Sequence, residues 1–119
     1  YKTPARVYKD RLIAFKNDLK EAVGIEKFAI IEVGYFCITV TDYWMRDRTK
    51  EEGKLDDEVI MRAQEELPNE DSDFVLLTDI CKKLSLIPEY LNPAAPGHYA
   101  NRALTMIGTA AGESLARFA

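Results

Sequence analysis

The apolar positions of this chain form long runs separated by short polar breaks, and their spacing is mostly helical. Tyr8, Leu12, Phe15, Leu19 and Ala22 step by +4, +3, +4 and +3, with Lys9, Asp10, Lys16, Asn17, Lys20 and Glu21 between them. That is one apolar stripe on a helix of about 3.6 residues per turn. Thr3-Pro4 supplies an N-cap and then a proline at the first helical position, where its missing N–H costs nothing. Gly24 is the expected stop.

The longest apolar run, Phe28–Met45, contains the only tryptophan. Its many β-branched residues favour a strand, but a buried strand usually spans about 4–8 residues and this run is unbroken for 18. Glu32, Tyr35, Thr39, Asp42 and Arg46 recur at +3, +4, +3 and +4, a narrow polar stripe on an otherwise apolar cylinder. The spacing therefore predicts a long buried central helix over about 26–52, stopped by Gly53, with Gly34 marking a close crossing. Asp56 then caps a short helix, with Leu55 and Ile60 as a hydrophobic staple and Pro68 at its end. Asp71-Ser72-Asp73 offers caps for a helix with Phe74, Leu77, Cys81 and Leu84 inward. Pro88, Pro93 and Pro96 break the next stretch, apart from a turn at Pro88–Leu91. A last helix runs from Gly97-His98 to the end. The predicted fold is all-α, an up-and-down bundle of four main helices plus a short extra one, in one domain over residues 1–119.

Composition leaves that picture intact: 47% apolar and 30% charged is ordinary for a globular domain. Net charge −4 argues against a general nucleic-acid binder. The charge is uneven, however. Residues 1–50 carry ten Lys/Arg and seven Asp/Glu, residues 51–119 six and thirteen, and a split of this kind can orient a partner. Cys37 and Cys81 read as buried thiols, with a disulfide between them open only in an oxidising compartment. One histidine leaves no zinc-type cluster, so neither metal nor cofactor is expected. Glu32 and Asp42 argue against a membrane span in the apolar run. They are also ten residues apart, about 15 Å along a helix and too far to share an ion. The chain opens on Tyr1 rather than methionine, as after removal of a leader or inside a longer polypeptide.

No catalytic signature stands out. No serine or cysteine sits in a nucleophile motif, and His98 at a helix start reads as a surface or capping residue. Residues Leu77 to Leu91 resemble the helix-turn-helix core of bacterial and phage DNA-binding regulators, which implies a nucleic-acid-binding regulator built on residues 74–91. The would-be recognition helix nevertheless has no Arg, Lys, Asn or Gln before Asn92 to reach base edges. Gly97-His98-Tyr99 with Asn101-Arg102-Ala103-Leu104 is similar to a stretch of a lumenal four-helix assembly factor of photosystem II, a resemblance that implies an accessory subunit. In the last helix Ala100, Leu104, Gly108, Gly112 and Ala116 are spaced by four, and their small side chains make a flat groove for another helix. The expected function is a non-enzymatic interaction or accessory subunit that meets a protein partner or a second copy of itself.

Overall fold

The computed structural model describes residues 4–36 and 49–118. The order is α1 (Ala5–Val23), β1 (Phe28–Ile31), α2 (Lys50–Glu70), β2 (Phe74–Thr78), α3 (Ile80–Leu84), a single 3-10 turn (Pro88–Tyr90) and α4 (Asn101–Ala116). β1 and β2 pair in parallel, from Phe28 against Phe74 to Ile31 against Thr78, with a register shift between Ile30 and Ile31. The chain is therefore a mixed α/β protein organised around a βαβ crossover, and not the all-α up-and-down bundle that the spacing predicts.

Two misread segments account for the difference. The run that begins at Phe28 is not one element. β-branched Ile30 and Ile31 take the extended conformation they prefer, the strand ends at Ile31, and Glu32–Phe36 continue outside any helix. The long central helix over 26–52 is thus overturned at its start. Its middle, 37–48, lies outside the described residues, and Lys50–Glu52 belong to α2. The second segment, Phe74–Leu84, divides into β2 and the short α3. A strand covered on both faces is apolar at every position, so its spacing also satisfies a helical template.

α2 likewise starts earlier and ends later than expected. Thr49 and Glu52 form a reciprocal capping box, Thr49 Oγ1 accepting from the Glu52 N–H at 3.1 Å and Glu52 Oε1 from the Thr49 N–H at 3.0 Å. Gly53 is buried within the first turn, and the helix carries Pro68 in its last turn, where only one N–H bond is forfeited.

α1 and α2 cover the sheet face that carries Phe28, Ile30, Phe74 and Leu76, with Tyr8, Leu12, Ile13 and Leu67 completing that core. α4 packs against β2 and joins Cys81 and Leu84 of α3 through Ala103 and Ile107 in a second cluster. α1 ends at Gly24 in the left-handed conformation (φ 72°), as its sequence predicts. Its inner face is turned by about one position, burying Lys9 and Lys16 and leaving Phe15 out. Those lysines meet the acids of α2 and the turn after it: Lys9 binds Glu66 at 2.7 Å and also Glu70, Lys16 binds Asp71 at 2.7 Å and Asp73 at 2.9 Å, and Lys20 binds Asp73 at 2.7 Å. Hydrogen bonds from Lys20 and Lys16 hold the Asp73 carboxyl down at about 2. Part of the charge asymmetry of the sequence is thus spent inside the molecule, between α1 and α2.

Candidate functional site

β1 has one engaged edge and one open edge among the described residues. The N–H of Phe28 donates to Asp73 O at 2.7 Å and that of Glu32 to Thr78 O at 3.0 Å. In a parallel ladder alternate residues point their amides to opposite sides, so the N–H and C=O groups of Ala29 and Ile31 face away from β2. Both residues are exposed, Ile31 at 42%. On the helix side Phe15 stands edge-on to Phe28 with ring centroids 6.0 Å apart and is itself 52% exposed, so apolar surface flanks the open edge. Phe28–Ile31 contains no proline and no charge, the devices that ordinarily blunt an edge. The neighbouring Lys27 ammonium is committed to Ser72 O at 2.8 Å.

Beyond β1 the backbone is held by side chains instead of a ladder. The Val33 N–H donates to Gln64 Oε1 at 2.8 Å, that of Tyr35 to Ser85 Oγ at 2.8 Å, and that of Phe36 to Asp57 Oδ2 at 2.9 Å. Gly34 is required here by close approach: a Cβ would lie 2.5 Å from Cys81 O, 2.5 Å from Tyr99 Oη and 2.8 Å from Ser85 Oγ. The sequence marks Gly34 as a crossing point, and the crossing partners are α3 and Tyr99.

Glu32 is fully buried, and neither carboxylate oxygen accepts a hydrogen bond; the Lys82 ammonium lies 3.5 Å from Oε2. Lys82 is shared with Glu65, at 2.9 Å. Burial, and then the neighbouring Glu65 carboxyl, push Glu32 up to about 7, while Lys82 opposes the shift. The Tyr35 hydroxyl donates to Glu58 Oε2 at 2.7 Å, and burial and then that bond push it up to about 12. Tyr35, Glu58, Met61, Arg62, Glu65 and Lys82 line a polar recess of about 190 Å³. Among the described residues no three His, Cys, Asp or Glu side chains are grouped to hold a metal ion. No helix among them is long and apolar enough to cross a membrane.

The residues singled out from sequence are dispersed. Glu32 and Tyr35 come together around α2 and α3, on extended backbone instead of a helical stripe; Thr39, Asp42, Arg46 and Cys37 lie outside the described residues. Cys81 is a buried free thiol. Ala100 is the N-cap of α4, while Leu104, Gly108, Gly112 and Ala116 lie on its exposed side. A Cβ at Gly108 or Gly112 would meet nothing within 4 Å, so no helix of the described residues crosses there. In the segment read as helix-turn-helix, Phe74–Thr78 is a strand and Pro88–Tyr90 a single turn, which leaves no recognition helix. Gly97-His98-Tyr99 closes a loop tied by the Leu91–Tyr99 bridge and precedes α4 of an α/β unit, not a helix of a four-helix bundle. Sequence reasoning missed the β1 edge and the roles of Gln64, Ser85 and Tyr99; a β-branched run broken by Glu32 was the available signal for the edge. Comparison with family models, with curated proteins and with solved structures finds no match for this chain.

Proposed function

We propose that this chain is an interaction subunit whose open β1 edge takes an extended apolar segment of a partner polypeptide as an added strand. The observation that carries the reading is the outward set of amides at Ala29 and Ile31 on an exposed strand with no charge or proline to guard it. Strand addition draws affinity from main-chain hydrogen bonds and specificity from alternate side chains. The partner's inward side chains would rest on Ile31 on one face and on Phe15 and Phe28 on the other.

Purification from the native source with wild-type and Ile31→Lys protein tests this, followed by amide hydrogen exchange of the complex. The expected result is a partner held by wild type and lost with Ile31→Lys, together with slowed exchange at Ala29 and Ile31. Leu104→Lys, on the exposed side of α4, should retain the partner. Retention by Ile31→Lys with loss by Leu104→Lys would move the interface to α4 and overturn the reading, as would rapid exchange at Ala29 and Ile31 within the complex.

A further inference from the structure

A second concavity lies past the carboxyl end of β1 and shares Ile31 with the open edge. It encloses about 410 Å³, within the usual range for small-molecule clefts. Ligands of open α/β sheets bind at this end, beyond the carboxyl termini of the strands. One wall is the extended segment after β1, with Val33 and Phe36 outward; the other is Cys81 of α3 and the loop that carries Leu91, Gly97 and Tyr99. The loop is a built wall. The Asn92 N–H donates to His98 O at 3.0 Å, the Ala100 N–H to Tyr90 O at 2.9 Å, and Gly97 supplies the positive φ of 82° that the turn needs.

The chemistry of the lining is uneven. Among the described residues its only charged lining residue is Glu32, which has no exposed surface, so none of them presents an ionic group to an occupant. Its main polar side-chain group is the Tyr99 hydroxyl, whose bond to Cys81 O is stretched to 3.5 Å. That carbonyl already accepts the Ser85 N–H at 3.0 Å. The hydroxyl also lies against the Cys81 and Ser85 side chains, and in apolar surroundings a well-placed acceptor is worth more to it than in water. His98, the only imidazole of the chain, is exposed between two lining residues, Gly97 and Tyr99.

The geometry points to a binding site for an uncharged small molecule with an apolar chain and one hydrogen-bond-accepting oxygen, the oxygen taken by Tyr99 and the chain laid along Val33, Phe36 and Leu91. Methyl hexyl ketone, hexylamine and hexanoate separate the chemistry, with saturation-transfer and chemical-shift NMR on the whole chain as the readout. The ketone is expected to bind saturably and shift Val33, Phe36 and Leu91, with both ions at least about tenfold weaker. Tyr99→Phe should weaken the ketone about two- to tenfold, the worth of one neutral hydrogen bond. If that variant does not fold, Val33→Glu at the exposed wall should abolish ketone binding with the melting temperature unchanged. Equal binding of all three probes, shifts confined to other surfaces, or unaltered affinity in a folded Tyr99→Phe or Val33→Glu protein would overturn the site. Because Ile31 belongs to both surfaces, the two readings are separated at residues of one alone: Tyr99 and Leu91 line only the cleft, and amide exchange at Ala29 reports only the edge.

Discussion

Glu32 sits where a single residue sets the pH response of the fold. Its carboxyl is buried without a hydrogen bond and held up at about 7, whereas Asp73 is held down at about 2 by Lys20 and Lys16. The two act in opposite directions. A group with a raised folded-state pKa binds its proton more tightly when folded, so its contribution is complete below the ordinary carboxylate range and is lost as the pH rises toward 7. Asp73 contributes above that range, and its contribution is lost as the pH falls toward 2. These two groups together should therefore place the stability maximum at about pH 4, in the ordinary carboxylate range. Melting curves should show wild type several degrees more stable at about pH 5 than at about pH 8. In Glu32→Gln, whose amide carries no charge at either pH, most of that difference should vanish. An unchanged difference in the variant would assign the pH dependence to other groups.

At the scale of elements, α4 gives the sharpest test of a feature legible in the sequence. The four-residue spacing of Leu104, Gly108, Gly112 and Ala116 is real and lies on one side of the helix, but that side is exposed and both glycines face open space. Gly108→Ala and Gly112→Ala should each stabilise by about 0.8–1 kcal/mol, the propensity gain alone, as measured by denaturant unfolding. Destabilisation by either would mean that something covers this side. The extent of α1 was readable because a helical repeat of apolar positions runs up to a glycine stop, although Pro4 is its N-cap and not its first residue. β1 and β2 were not, since period alone cannot separate a short buried strand from a helix turn, and only the pairing of Phe28 with Phe74 decides the matter. The buried face of α1 was hidden for another reason. Lys9 and Lys16 read as solvent-facing until Glu66, Glu70, Asp71 and Asp73 are brought opposite them.

Across the whole molecule, what escaped the sequence is what depends on distant residues meeting. The cleft needs Val33 beside Leu91 and Tyr99, and Glu32 acquires its surroundings only when α2 and α3 close over it. The same crossover has a kinetic consequence. Phe28 and Phe74 are 46 positions apart, and contacts at such separation are entropically late unless an intervening element shortens the path. α2 is that element, and Leu67, fully buried against Ile30 and Phe74, is the side chain through which it gathers both strands. Leu67→Ala should cost about 2–5 kcal/mol and should slow refolding by about tenfold or more, because the transition state needs that contact. Ala103→Gly in α4, which packs outside the crossover, should instead act mainly on the unfolding limb of the chevron. Equal slowing of refolding by both would mean that α4 condenses together with the strands. The predicted order makes α4 the last part gained and the first surrendered, so a protease acting on briefly opened molecules would release the α4 end before it could cut within the crossover.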